Sequence, residues 1–107
     1  MLPLEGVRVL ALENFIAGPV ASMWLADAGA EVVKIERPGG GDQARGLEPS
    51  RTRGGETRSL SFMRANRNKK SVELDIKSEG GLALLKRLLA QTDVLVENLN
   101  PTALTRL

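Results

Sequence analysis

The sequence predicts an α/β fold built on a parallel β-sheet. An apolar, partly β-branched run over residues 7–12 gives way at Gly18-Pro19 to a helical segment, and a second run over 32–35 follows the helix-ending Gly29. Proline in the first helical turn and glycine just after the last turn give these boundaries a physical cause. Two apolar strands joined by a helix predict a parallel βαβ crossover.

The next segment is polar and rich in glycine and arginine, and over 38–59 it is predicted to be one long loop. Its first residues, 38–42 (PGGGD), could bring backbone N–H groups close to an anion. The GxxxxGK[ST] pattern is missing, so a mobile linker is the favoured interpretation. Residues 60–67 predict a short helix that carries Phe62 and Met63 inward.

Residues 71–76 (SVELDI) alternate apolar with polar side chains and predict a strand closed by Lys77. The clearest amphipathic helix follows, because Ser78 is a suitable N-cap and four leucines recur at helical spacing opposite Lys86 and Arg87. These leucines are Leu82, Leu85, Leu88 and Leu89.

Residues 94–96 predict another buried strand, and Asn100-Pro101 predict the cap and first residue of a last helix. The order of elements is an α/β pattern that ends before the predicted sheet is complete. The sequence therefore predicts an incomplete fold, or one that another chain completes.

Composition limits the possible chemistry. The 107 residues, 42% of them hydrophobic, suit one domain, while a net charge of +2 and 3% aromatic residues argue against nucleic-acid binding. The chain has no cysteine, histidine or tyrosine, so no metal site is expected, and any acid, base or nucleophile must be a carboxylate, a lysine or a hydroxyl. Without a signal peptide or a long apolar segment, the chain is expected to be soluble, cytoplasmic and independent of membranes.

Parallel sheets bind ligands beyond the carboxyl ends of their strands, where segments 13–17 and 36–42 are predicted to lie. Arg37 and Lys77 each directly follow a predicted strand and are the strongest candidates for holding an anion. The other candidate cations, which are more simply interpreted as solvated surface charges, are Arg45, Arg64, Arg67, Lys69 and Lys70. The first strand-to-helix turn lacks GxGxxG, which disfavours a dinucleotide.

Carboxylates also stand near the ends of the four strand-like runs, at Glu13, Glu36, Asp75 and Glu97. They could act as acid, base or nucleophile. The favoured interpretation is structural, with these groups capping helices or pairing with neighbouring arginines. Trp24 is expected in the core or at an interface.

Several ordered segments resemble the amino-terminal part of the family III CoA-transferases, which include formyl-CoA transferase, carnitine CoA-transferase and α-methylacyl-CoA racemase. The segments are LEGVRVLALE, AGP, LADAGAEVVKIERP followed by GGGD, NRNKKSVELDIKSEGG and DVLVENLNPTAL, which span essentially the whole chain.

The resemblance implies that residues 1–107 are the incomplete amino-terminal portion of a Rossmann-like large domain, in a protein whose two subunits interlock as linked rings. CoA or acyl-CoA would be a substrate, not a permanent cofactor, and would lie along the strand ends. The implied contacts are Ile16, Ala17, Arg37, Leu74, Asp75, Ile76, Lys77, Asn98, Leu99, Asn100 and Arg106. Ile16 replaces a glutamine of formyl-CoA transferase, which argues against formate or oxalate specificity, and Asn100 replaces a glycine.

In the transferases of this family, an aspartate beyond the segment corresponding to this chain attacks the acyl-CoA thioester, and a mixed anhydride and an enzyme thioester follow. The resemblance thus implies transfer of CoA between carboxylic acids, with no catalytic residue in these 107 residues and no activity of the chain alone. An acyl-CoA racemase on the same scaffold is an alternative, as is a non-enzymatic fragment.

Overall fold

A computed structural model describes residues 1–107 and contains six strands and four helices. In chain order they are β1 (Arg8–Leu12), α1 (Ala17–Asp27), β2 (Glu31–Glu36), β3 (Ser50–Arg53), β4 (Glu56–Ser59), α2 (Leu60–Met63), β5 (Lys69–Glu73), α3 (Glu79–Leu89), β6 (Val94–Glu97) and α4 (Pro101–Thr105). A 3₁₀ turn over Gln43–Gly46 precedes β3. None of the helices combines the length and the apolar character that a membrane span requires.

Four strands form one parallel sheet in the order β5-β2-β1-β6, which confirms the predicted α/β class. The central strand β1 pairs on both sides, so that Leu10 lies opposite Val33 of β2 and Leu95 of β6. The sheet grows outward from β1 through β2 to β5, and the chain then returns to the other side of β1 to form β6. This order places a topological switch point between β1 and β6, where Rossmann-like sheets open a crevice at their carboxyl ends.

Helices cover both faces of the sheet because successive residues of a strand point to opposite faces. The core on one face, against α1, consists of Val9, Ala11, Ala26, Ala30 and Val32. The core on the other face, against α3, consists of Leu10, Leu12, Ile35 and Leu85. Residues of β1 contribute to both cores, so this strand is the centre of the fold.

The outer strands are more exposed than expected. The buried strand predicted over 94–96 is wrong in its burial, because β6 is an edge strand whose Val94 and Leu95 are 40% and 42% exposed. The strand predicted over 71–76 is displaced, since β5 runs from Lys69 to Glu73. Lys77 therefore does not directly follow a strand, and it lies in the turn that leads into α3.

The stretch over 38–59 is not a single loop. Its second half is a β3–β4 hairpin, joined by Gly54 and Gly55, which both have positive φ as a two-residue type I′ turn requires. The expectation that Met63 faces inward is wrong, because this residue is 48% exposed. Trp24 is 66% exposed, and its expected alternative place at an interface stays a prediction. Trp24 therefore lies outside the core of these residues.

The start of α3 confirms the predicted N-cap. The Ser78 hydroxyl accepts a hydrogen bond from the Gly81 N–H at 3.0 Å and donates one to the carbonyl oxygen of Asp75 at 2.8 Å. The helix thereby packs its first turn directly against the turn that follows β5, with Gly81 buried at the contact. Leu85 is fully buried one turn later, as the leucine spacing predicts. At α4, the Asn100 side chain caps the Thr102 N–H at 2.9 Å, also as predicted.

Candidate functional site

A cleft of about 220 Å³ opens at the carboxyl ends of β1 and β6. Its lining residues are Asn14, Phe15, Arg37, Gln43, Asn98, Leu99 and Asn100. They come from the segments that follow β1, β2 and β6 and from the start of the 3₁₀ turn. The cleft thus occupies the switch point of the sheet, the position at which open α/β sheets bind ligands.

Two asparagines tie the walls of this cleft together. The Asn14 N–H donates to Asn98 Oδ1 and Asn98 Nδ2 donates to the Asn14 carbonyl oxygen, both at 2.9 Å. Gly18 in the first turn of α1 permits this approach, because a Cβ there would lie 3.1 Å from Asn98 Cγ and 2.8 Å from Glu13 Cβ. The reciprocal pair fixes the segment after β1 to the segment after β6.

Arg37 is the cation of the cleft. Within the chain only its Nε donates, to the Gly41 carbonyl oxygen at 2.8 Å, and this bond orients the guanidinium. Its two terminal nitrogens form no ion pair and no hydrogen bond with the protein. An arginine fixed in this way retains a planar pair of donors that matches a phosphate or carboxylate.

The glycine-rich segment 38–42 is held by the protein, contrary to its interpretation as a linker. The Gly41 N–H donates to the Arg37 carbonyl oxygen at 3.1 Å, and the Asp42 N–H donates to Glu36 Oε1 at 2.9 Å. Positive φ at Gly39 and Gly41 allows this reversal of the chain. The segment therefore forms a defined turn beside the cleft.

Four of the sequence-predicted contacts, Arg37, Asn98, Leu99 and Asn100, come together in the cleft. Ile16 and Ala17 are exposed and follow Phe15 in the chain, but they do not line the cleft. The remaining predicted contacts lie outside the cleft. Leu74 and Ile76 pack against the core under α3, and the Asp75 carboxylate accepts a hydrogen bond from the Lys77 N–H at 3.0 Å. Lys77 and Arg106 are exposed.

Three lining residues, Asn14, Phe15 and Gln43, were not among the predicted contacts, although Asn14 and Phe15 lie in the segment 13–17 that was expected at the ligand-binding end of the sheet. Asn14 stands within the segment expected at the carboxyl end of β1, so the strand-end argument that singled out Arg37 could have found it. Phe15 has a positive φ of 65°, which nothing in its side chain indicates. Gln43 carries no sequence signal, since the 3₁₀ turn that presents it lies within the predicted loop.

A buried ion network adjoins the cleft, and it consists of Glu13, Lys34, Asp42, Asn66 and Lys69. Lys34 Nζ lies 2.6 Å from Asp42 Oδ2, and Lys69 Nζ lies 3.0 Å from Glu13 Oε1. All four charged side chains are at most 2% exposed. Both ammonium groups also donate to Asn66 Oδ1, at 2.9 and 3.0 Å. The network satisfies each buried polar side-chain atom, as burial of charge requires.

Burial lowers the pKa of Lys69, although the neighbouring Glu13 carboxylate opposes this effect. The interpretation of Lys69 as a surface charge is therefore wrong. Glu13 supports the predicted structural role, but its partners are Lys69 and the Ser22 hydroxyl at 2.6 Å, not an arginine.

Glu36, at the end of β2, is a third buried carboxylate with several donors. Burial acts to raise its pKa, but hydrogen bonds from Arg45, the Asp42 N–H and the Ser71 hydroxyl, together with the charge of Arg45, outweigh it and lower the pKa from 4.5 to about 2. Arg45 forks onto this carboxylate at 2.8 and 2.7 Å. Pairing of Glu36 with an arginine confirms the structural interpretation at this position.

The low pKa of Glu36 predicts a loss of stability in acid. Because the pKa is lowered on folding, the carboxylate stabilises the fold fully above pH 4.5, and this contribution disappears as the pH falls toward about 2. We expect the free energy of unfolding to fall by roughly 2 kcal/mol between these pH values, after allowance for the partial exposure of Arg45. Urea unfolding of the full-length natural protein between these pH values measures it. Glu36→Gln should flatten this part of the profile, and the exposed Glu5→Gln should not. An unchanged profile in Glu36→Gln would contradict the assignment.

A second opening, of about 470 Å³, lies at the other end of the strands, near the amino ends of β1 and β2. Its cations are Arg8 and Lys70, and Lys70 Nζ is already paired with Glu31 Oε2 at 3.0 Å. Although this opening is larger, it lacks an arginine oriented by the backbone and lies away from the carboxyl ends where such sheets bind ligands. The cleft at the switch point is therefore the stronger candidate.

Comparison with known proteins identifies the family of the chain. Residues 4–107 match the sequence model of CoA-transferase family III. Over 107 residues the chain is 48% identical to succinyl-CoA:glutarate CoA-transferase of Mus musculus, covering 100% of this chain and 24% of that protein. It is 44% identical over 100 residues to the succinyl-CoA–L-malate CoA-transferase alpha subunit of Chloroflexus aurantiacus, covering 94% of this chain and 23% of the subunit.

Solved structures give the same result. A CAIB/BAIF family protein from Brucella suis superposes with a TM-score of 0.90 at 37% identity, covering 98% of this chain and 28% of that one. A hypothetical protein from Mycobacterium tuberculosis gives a TM-score of 0.86 at 36% identity, with 99% and 28% coverage. The chain spans about a quarter of the length of the curated relatives that it matches. With its family match, its identities and its superposition all in agreement, the chain belongs to CoA-transferase family III.

Proposed function

We propose that these residues form the CoA-binding, amino-terminal portion of the large domain of an enzyme that moves CoA between carboxylic acids. Membership of the family supports the reaction class. The single structural observation that supports the binding role is the Arg37 guanidinium, whose terminal nitrogens are free in a cleft at the switch point. CoA carries phosphates that such a group can hold.

In the proposed complex, Arg37 forks onto a CoA phosphate and Gln43 contributes a second polar side chain at the same wall. Phe15, which is 44% exposed, offers an apolar face for the less polar parts of the ligand. The reciprocal bonds between Asn14 and Asn98 hold the two sides of the cleft at a fixed separation. Because these groups are oriented before the ligand arrives, less ordering accompanies binding.

The cleft binds and orients but does not supply a nucleophile. None of its lining side chains is a carboxylate, hydroxyl or lysine, and the Glu13 carboxylate is fully buried in its ion pair. We therefore propose that an aspartate outside these residues attacks the thioester. The C–S bond breaks as CoA leaves as a thiolate and a mixed anhydride forms; the thiolate then attacks the aspartyl carbonyl, and the donor acid leaves as a carboxylate while an enzyme thioester forms. The acceptor carboxylate attacks this thioester and expels the CoA thiolate, which then attacks the acceptor acyl carbonyl of the new anhydride, giving the new acyl-CoA and the free aspartate. On this proposal the 107 residues alone have no transferase activity.

The relatives also suggest the substrates. Several are named for succinyl-CoA and a dicarboxylic acid, namely glutarate, L-malate or D-citramalate. We propose succinyl-CoA as donor and a four- or five-carbon dicarboxylate as acceptor. The interlocked homodimer and the cytoplasmic location stay predictions.

Arg37→Ala is expected to weaken CoA binding to the full-length natural protein by about 10- to 100-fold, the usual value of a charge-assisted hydrogen bond. Isothermal titration with CoA measures it, and Arg64→Ala, an exposed arginine outside the cleft, is the matched control. Unchanged affinity in Arg37→Ala would rule out the proposed contact. Lys77→Ala and Arg106→Ala test separately whether the ligand extends beyond the cleft.

A second assay separates the transferase from the racemase. The transferase is expected to exchange CoA between succinyl-CoA and a free dicarboxylate without incorporating solvent deuterium at the α-carbon. Rapid α-deuteration without exchange of the acyl group would favour the racemase instead.

A further inference from the structure

Phe15 occupies a backbone conformation that an aromatic residue rarely adopts. Its φ of 65° lies in the left-handed region, where the side chain of a non-glycine residue is crowded. The residue nevertheless stands in the wall of the cleft with 44% of its surface exposed. A local preference of phenylalanine does not explain this conformation, so contacts elsewhere in the fold must maintain it.

The contact that holds Phe15 comes from Asp42. The Phe15 N–H donates to Asp42 Oδ1 at 3.1 Å, which joins the segment after β1 to the segment after β2. The same oxygen accepts the Ala44 N–H at 2.8 Å, at the start of the 3₁₀ turn. One carboxylate oxygen therefore fixes two backbone segments that flank the cleft, including the turn that presents Gln43.

Lys34 fixes the orientation of this carboxylate. Lys34 Nζ binds the other oxygen, Oδ2, at 2.6 Å, and is itself held by Asn66 Oδ1 at 2.9 Å. Both Lys34 and Asp42 side chains are at most 1% exposed, so water does not replace either partner. With Oδ2 bound to the ammonium group, Oδ1 must face the two N–H groups.

We propose that Asp42 is a positioning residue that shapes the ligand cleft through Phe15, with Lys34 setting the rotation of its carboxylate. Only the identity of the ligand rests on the proposed function. The role of Asp42 concerns the backbone of Phe15 and is independent of which molecule binds.

Asp42→Asn tests the proposal with almost no change in volume. The amide has one oxygen, and Lys34 is a cation that cannot accept the amide N–H, so the oxygen should turn to Lys34 and the amide N–H groups should face Phe15. We expect faster hydrogen exchange of the Phe15 amide and about tenfold weaker CoA binding in the full-length natural protein. Asp27→Asn, which makes the same change in the ion pair with Arg67 outside the cleft, should leave both readouts unchanged.

The double variant Lys34→Met with Asp42→Asn should restore both properties. Without the ammonium group, the amide oxygen is free to accept the Phe15 and Ala44 N–H groups again. Recovery of Phe15 amide protection and of CoA affinity supports the proposal, because a purely structural ion pair predicts further loss. Unchanged Phe15 exchange in Asp42→Asn, or no recovery in the double variant, overturns it. If the wild-type protein does not bind CoA, the proposed function fails, and the Phe15 exchange still decides the role of Asp42.

Discussion

Lys34→Met is expected to destabilise the full-length natural protein by about 3–5 kcal/mol. The substitution leaves the Asp42 carboxylate buried without its cation, 0% exposed in a region where water does not reach it. Removing one partner of a buried pair costs much more than the pair itself contributes, because the remaining charge has lost its hydration and has no compensation. Asn66 also loses one of the two ammonium groups bound to its side-chain oxygen.

Lys70→Met is the matched control for this prediction. Lys70 also forms an ion pair, with Glu31 at 3.0 Å, but these side chains are 69% and 51% exposed. We expect a change within about 0.5 kcal/mol, since exposed pairs contribute little. Urea unfolding of both variants measures the difference. Equal free energies of unfolding for the two variants would show that the buried network does not have the proposed energetic weight.

Gly81→Ala is expected to cost about 3 kcal/mol of stability. A Cβ at this position would lie 1.7 Å from the carbonyl oxygen of Asp75 and 2.8 Å from Ser78 Oγ. Since the first of these atoms belongs to the backbone, the turn after β5 or the start of α3 has to move, and overpacking of this kind is destabilising. The Ser78 cap is expected to be lost with it.

The neighbouring Gly80 provides the control, because a Cβ there would meet nothing within 4 Å. Gly80→Ala should stabilise the protein by up to about 1 kcal/mol through helix propensity. The two substitutions make the same chemical change in consecutive residues and are expected to have opposite signs in urea unfolding. A stabilising Gly81→Ala would contradict the close packing of α3 against the Asp75 turn.

The central elements of the fold could be predicted because their local signals agree with their tertiary environment. Apolar runs form β1, α1, β2 and α3, and a proline, a glycine or a serine marks the boundaries of the helices. The β3–β4 hairpin could not be predicted in this way, because its strands, SRTR and ETRS, are wholly polar and have no apolar alternation. An apolar run also does not indicate whether a strand has neighbours on both sides. For this reason β6 was expected to be buried, although it is an edge strand.

The candidate site also contains residues that the sequence could predict and residues that it could not. Arg37 and Asn98 follow strands directly, so the topology of a parallel sheet is sufficient to bring them near each other. Lys34 lies within the run EVVKIE, where a lysine is usually interpreted as facing solvent. Its partners lie 8 and 32 residues further along the chain, and only the folded structure brings them together.

A crystal structure of the full-length natural protein with CoA tests the central claim most directly. We expect the Arg37 guanidinium within hydrogen-bonding distance of a CoA phosphate, with the ligand lying against Phe15 and the segment from Asn98 to Asn100 at the carboxyl ends of β1 and β6. CoA bound instead at the other end of the strands, beside Arg8 and Lys70, would contradict the account.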